Sequence, residues 1–209
     1  MSANNFTITA QNLGKRFKRE WIFRNFNFQF SAGIYAITGP NGSGKSTLLQ
    51  TLWGQLLPST GTVQYQTGDG AIDIQDAFKH LAIATPYMDL IDEFTLEEQV
   101  KFHFSLKSRR NNFTENDIIK NMTLDNARKK FIGNFSSGMK QRVKLGLAFY
   151  TQANAIFLDE PGTNLDQNAF GWYRDQLADL PNNCLVFIAS NQPAEYPENA
   201  EKIDIMSFK

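Results

Sequence analysis

The chain has 209 residues, which suits one domain of a size that buries roughly 70–75% of its unfolded surface without a disulfide or metal staple. Its content, 42% hydrophobic and 20% charged, is that of an ordinary globular protein. The 21 Lys+Arg cancel 21 Asp+Glu, which argues against a protein whose main business is coating nucleic acid, and one cysteine, Cys184, excludes an internal disulfide or a cysteine-rich zinc site.

In chain order, the start from Met1 to Thr7 lacks the basic residues and apolar stretch of a signal peptide. Phe6–Thr9 reads as a short strand. Asn25–Phe30 alternates polar and aromatic residues with period two, the pattern of a half-buried antiparallel strand. Ile34–Ile37 is a short apolar run closed by Gly39-Pro40, as expected of a strand covered on both faces. A helix over Ser46–Trp53 ends at Gly54 with Pro58 beyond, and Thr62–Tyr65 is a further strand. From about 90 to 150 the character changes. Thr95 caps a helix with Glu97 and Glu98 in its first turn, and polar helical segments follow to Phe135, which predicts a helical insertion between two halves of the core. Apolar runs at Ala155–Leu158 and Leu185–Ala189 predict two more buried strands, and Ile203–Met206 a last one. Buried runs separated by helices indicate an α/β core with parallel strands. The basic clusters Lys15, Arg16, Lys18, Arg19 and Arg128–Lys130 read as solvated surface. No segment reaches the ~18 uncharged apolar residues that span a bilayer, so the expectation is a cytoplasmic chain that meets a membrane through a partner.

Gly39-Pro40-Asn41-Gly42-Ser43-Gly44-Lys45-Ser46-Thr47 matches the P-loop pattern of Gly, four residues, Gly-Lys-Ser/Thr, after a buried strand and before a helix. Its glycines let successive N–H groups turn toward phosphate, and the following helix presents its N-terminus to the same anion. Lys45 is expected on the β- and γ-phosphates of a nucleotide, and the Ser46 hydroxyl on Mg²⁺. A second phosphate motif is the apolar run Ala155–Leu158 ending in Asp159-Glu160. It predicts Asp159 beside the P-loop strand, holding Mg²⁺ through water, and Glu160 orienting or deprotonating the attacking water.

Between these motifs, Asn134-Phe135-Ser136-Ser137-Gly138-Met139-Lys140-Gln141-Arg142 resembles the signature segment of the ATP-binding-cassette (ABC) family, usually written Leu-Ser-Gly-Gly-Gln. Ser136 and Gly138 match, whereas Phe135, Ser137 and Met139 depart. Asp159-Glu160-Pro161 runs on into Thr163–Asp166, which looks like the family's D-loop. The similarity covers essentially the whole chain. It implies one ABC-type domain over residues 1–209: a P-loop (RecA-like) α/β core, an antiparallel β subdomain and the helical insertion. It also implies a homodimer sandwiching two Mg-ATP, each held by one P-loop and by Ser136, Ser137 and Gly138 of the other copy, with Asp166 nearby. Phe17 looks like the aromatic that stacks on adenine, with Trp21 second and a plain core role as the alternative. Two positions depart from the family. The Gln expected after the third core strand is replaced by Pro86 or Tyr87, and Ser190-Asn191-Gln192 stands where a switch His is usual. Asn191 can donate a hydrogen bond to a γ-phosphate but cannot carry a proton near neutral pH. The alternative for Asn191 is a residue that only ends a strand and turns the chain toward Pro193.

The favoured function is therefore the ATP-binding and ATP-hydrolysing subunit of an ABC transporter, peripheral on the cytoplasmic face, with separate integral membrane subunits docking on the insertion and on Tyr87–Glu93. A soluble ABC ATPase acting on nucleic acid or ribosomes is the first alternative; its usual second cassette, coiled coil or zinc insertion is missing here, and no direct nucleic-acid contact is expected. A weakly hydrolysing regulatory ATP-binding module, suggested by Asn191, is the second, and Glu160 argues against it. A small-molecule kinase would need neither Ser136–Gly138 nor Asp166.

Overall fold

Alternation in the N-terminal third builds an antiparallel sheet. A computed structural model describes residues 6–209, so Met1–Asn5, most of the stretch read above for a signal peptide, lie outside the described residues. β1 (Thr7–Phe17) and β2 (Glu20–Phe30) form a long hairpin. In β2, Phe26 and Phe30 are fully buried while Asn25, Asn27 and Gln29 face water, as period-two patterning requires; Phe23, three positions before Phe26, is also fully buried because the strand bulges at Asn25, where φ is 54°. The chain then enters the core through β3 (Gly33–Thr38) and α1 (Lys45–Leu52) before returning to the first sheet with β4 (Thr60–Thr67) and β5 (Gly70–Ile72). The order of this sheet is β2-β1-β4-β5.

A short α2 (Ile74–Ala77) leads to β6 (Leu81–Ala84), and the helices of the middle third follow: α3 (Leu96–Leu106), α4 (Glu115–Asn121) and α5 (Ser137–Tyr150). β7 (Ala155–Asp159), α6 (Gln167–Ala178), β8 (Leu185–Ala189) and β9 (Glu201–Asp204) complete a second, parallel sheet of order β6-β7-β8-β3-β9. Its strands β7 and β8 are buried at every position and apolar at all but Asp159 because both faces are covered. Ala155 and Phe157 face α1 and the antiparallel sheet, whereas Ile156 and Leu158 face α5 and α6. Each large side chain buried this way stabilises the fold by about 1.5–3 kcal/mol.

Three sequence expectations change in detail. The last strand is Glu201–Asp204, not Ile203–Met206, because the Asp204 carboxylate accepts the Met206 N–H at 2.9 Å and turns Ile205–Phe208 into a 3₁₀ turn. The insertion is helical as expected, but α5 is shared: Val143, Leu147 and Tyr150 pack against α3 and α4, and Leu145, Ala148 and Phe149 against the parallel sheet. Arg128 is not plain solvated surface. It pairs with Asp125 at 3.0 Å and with Glu97 at 3.4 Å, tying the following turn to α3. Among the described residues no helix is long and apolar enough to cross a membrane.

Candidate active site

Parallel strands deliver their carboxyl ends to one edge of the sheet, where α/β folds bind ligands. β3 ends in the loop Gly39–Gly44, β7 ends in Asp159-Glu160, and β8 ends in Ser190-Asn191. The loop is shaped by glycine at Gly44, where φ is 105° and an added Cβ would lie 2.3 Å from Cγ2 of Ile22 on β2. Only a residue without a side chain brings the backbone that close to the antiparallel sheet and still starts α1 in the next residue. The remaining loop residues follow from this turn. Ser43 N–H donates to the Pro40 carbonyl at 3.1 Å, and Asn41 and Gly42 lie on the exposed rim. Thr47 carries the first turn of α1 onward, its carbonyl accepting the Thr51 hydroxyl at 2.7 Å.

Lys45 is buried, with its ammonium inside the loop donating to the Gly39 and Pro40 carbonyls at 2.9 and 3.1 Å. Ser46 Oγ donates to Asp159 Oδ1 at 3.0 Å. Asp159 does not lie beside the P-loop strand as expected, since β8 stands between β3 and β7. The contact forms because α1 crosses the sheet face and carries Ser46 to the end of β7. Burial raises the Asp159 carboxyl to about 6, the Ser46 hydrogen bond opposes this and Glu160 adds to it. Its second oxygen, Oδ2, is sealed and has no hydrogen-bond partner among the described residues. A serine hydroxyl bonded to a carboxylate that has one oxygen to spare fits Mg²⁺, which takes few protein oxygens and completes its shell with water and phosphate.

Glu160 follows with φ 46°, its N–H donating to Ala189 O at 2.9 Å and its carboxylate accepting from the Thr163 hydroxyl at 3.5 Å. Asn191 does more than end a strand: its amide donates to Asn41 Oδ1 on the P-loop at 2.9 Å. Ser136 caps α5 by accepting the Met139 N–H at 3.2 Å, which leaves its own hydroxyl proton free to donate. Ser137 opens the helix, and the Gly138 backbone packs directly on the Asn164 carbonyl. Asp166 caps α6 and stands 4.0 Å from Arg142. The structure therefore brings P-loop, Asp159, Glu160 and Asn191 together, and sets the Ser136–Gly138 end of α5 against the Glu160–Asp166 loop. Phe17 sits apart at the tip of the β1–β2 hairpin. It is 48% exposed with the Lys15 ammonium 5.1 Å from its ring, so the plain core reading fails. Trp21 is partly buried under the Arg16 guanidinium.

Sequence reasoning missed three further residues. Lys144 donates to the Pro86 carbonyl at 2.9 Å and the Thr85 carbonyl at 3.4 Å, holding the segment where the family Gln is absent; Tyr87 itself points into solvent. Gln141 Nε2 donates to the Pro161 carbonyl at 3.0 Å. Glu195 Oε1 accepts the Gly162 N–H at 3.2 Å. Only Gln141 had a local signal, its place in the segment after Gly138.

The ABC transporter family model matches residues 23–163, more than half of the chain. This chain belongs to the ABC transporter family. An ABC transporter ATP-binding protein of Bacillus subtilis is 28% identical over 171 residues, which make up 81% of this chain and 78% of that protein. The Nod factor export ATP-binding protein I of Burkholderia lata is 28% identical over 166 residues, 78% of this chain but only 55% of the relative. Among solved structures, a putative ABC transporter ATP-binding protein of Pyrococcus furiosus superposes with a TM-score of 0.78 at 19% identity, covering 97% of this chain and 98% of that one. A bacterial Atm1-family ABC exporter with ATP bound gives 0.74 at 18% identity, over 93% of this chain and 36% of the exporter. The expected ABC-type α/β fold is the observed one. Within the family this chain is the ATP-binding, ATP-hydrolysing subunit of a transporter, and the alternative of a nucleic-acid or ribosome ATPase is not favoured.

Proposed function

We propose that the subunit binds Mg-ATP at the P-loop, that two copies close head to tail on two nucleotides, and that opening after hydrolysis drives separate integral membrane subunits from the cytoplasmic face. The observation that carries this reading is the 3.0 Å bond from Ser46 to Asp159, which joins the two phosphate motifs across an intervening strand. When bound, Mg²⁺ supplies positive charge against the phosphates. Ser46 and Asp159 would hold it, while Lys45 and the Asn41–Thr47 backbone N–H groups bind the phosphates and Asn191 donates to the terminal one. Glu160 accepts the proton of the attacking water. Ser136, Ser137 and Gly138, with a free hydroxyl proton and helix N-terminal amides, grip the terminal phosphate bound by the other copy. Phe17, exposed at the hairpin tip, offers its ring to adenine.

The test is nucleotide binding by Lys45→Ala. The Lys45 ammonium contacts only loop carbonyls among the described residues, so the variant should keep its circular dichroism spectrum and lose measurable affinity for fluorescent ATP. A folded Lys45→Ala that binds with wild-type affinity overturns the assignment.

A further inference from the structure

Glu195 is a buried acid for which the proposed mechanism above has no use. It lies in the turn Pro193–Glu195 after β8, four positions beyond Asn191, and is 2% exposed. Its Oε1 accepts the Gly162 N–H at 3.2 Å, and a Cβ at Gly162 would come within 2.4 Å of the same oxygen. The Tyr173 hydroxyl, fully buried on α6, donates to the Glu195 carbonyl at 2.6 Å and fixes the turn from the other side. The second carboxyl oxygen, Oε2, is sealed from solvent and has no hydrogen-bond partner among the described residues. A buried acid with a spare oxygen is costly, and a packed apolar side chain would serve stability better. Burial also holds the Glu195 carboxyl above its ordinary range; the Ser190 hydroxyl and the Gly162 N–H oppose this, and the charges of Glu160 and Asp159 add to it.

What the acid holds explains the cost. Gly162 lies in the loop between Glu160 and Asp166, and the backbone of that loop is left-handed at two non-glycine residues, Glu160 with φ 46° and Asn164 with φ 64°. Such a loop persists only where neighbours over-determine it. The Ser190–Glu195 segment touches both halves of the site. At one end Asn191 bonds Asn41 of the P-loop at 2.9 Å, and at the other Glu195 bonds Gly162. We infer that Glu195 is a positioning residue for hydrolysis: it clamps the Glu160–Asp166 loop to the segment after β8, and so holds Glu160, and the loop residues facing a second copy, in register with the P-loop. The inference rests on the proposed role of Glu160.

The test uses the full chain and compares steady-state ATP hydrolysis by wild type, Glu195→Ala, Glu195→Gln and Gly162→Ala, with fluorescent-ATP stoichiometry reporting the folded fraction. Glu195→Ala loses the acceptor and should lower kcat about tenfold per folded site while the KM for ATP stays within about twofold. Glu195→Gln keeps Oε1 as acceptor and should recover most of the rate, a rescue that a purely electrostatic role would not give. Gly162→Ala forces the carboxyl away and should reproduce the kcat loss, and it carries the test if Glu195→Ala does not fold. Wild-type kcat in folded Glu195→Ala or Gly162→Ala overturns the inference, as does a Gln variant no better than Ala. A wild type that binds ATP without hydrolysing it would overturn the reading of Glu160 first, and this inference with it.

Discussion

One of the departures of this site from its family rests on a single amide. Asn191 stands where a switch His is usual, and its side chain already reaches the P-loop through Asn41. A neutral amide contact is worth ~0.5–1.5 kcal/mol, against ~1.5–3 for a charged one. Asn191→Ala should therefore lower turnover roughly tenfold and leave ATP affinity nearly unchanged. Asn191→His should support turnover and give the rate a titration near pH 6.5, which the wild type lacks at this position. Steady-state kinetics across pH check both, and an alanine variant at the wild-type rate removes the switch role.

At the scale of the element, α3 shows how local chemistry secures the insertion. Thr95 accepts the Glu98 N–H, and the Glu98 carboxylate accepts the Thr95 N–H at 2.8 Å, so the capping box closes in both directions. Thr95→Ala should cost about 1 kcal/mol of stability, seen in denaturant unfolding and as faster amide exchange in the first turn of α3. Near the other end of the same helix, His103 shares a hydrogen bond with the Thr151 hydroxyl at 2.9 Å. Burial first, and Lys107 second, lower its pKa from 6.5 to about 4. The unfolded chain thus binds a proton there between pH 6.5 and 4 that the folded chain refuses, so this residue's contribution is present above pH 6.5 and lost as pH falls toward 4. His103→Gln, which keeps a polar group opposite Thr151, should flatten the acid side of the Tm-versus-pH curve over that window.

For the molecule as a whole, the question is what two copies do with ATP. The Ser136–Gly138 end of α5 and the Asp166 cap of α6 meet at the Glu160–Asp166 loop, so the chemistry proposed for Glu160 and the proposed contact with a second copy share one short segment. Glu160→Gln keeps the shape while removing the base and one negative charge facing the γ-phosphate. Turnover should fall on the order of 10²-fold or more, and Mg-ATP should trap this variant as a dimer in sizing chromatography. A monomer under those conditions, or an unchanged rate, counts against the sandwich.

The contiguous features were legible in the sequence because short-range backbone constraints encode them. Gly39–Thr47 needs only its own glycines and the helix that follows; Thr95 and Ser136 need only the three residues after them; Asp159-Glu160 needs only an apolar strand to end. Contacts between distant segments were not legible. Asn191 meets Asn41 across 150 positions and Glu195 meets Gly162 across 33, whereas Ser46 and Asp159, 113 apart, were brought together in the sequence only through the Mg²⁺ their motifs share, without the strand order that seats them. Each depends on strand order, and apolar runs buried on both faces carry no mark of which neighbour they pair with. That is why Asp159 was expected beside the P-loop strand when β8 separates them, and why nothing in the sequence singled out Glu195. The residue types determined by themselves what chemistry the chain carries; the order of the parallel strands and the path of α1 across them decided which of those residues meet.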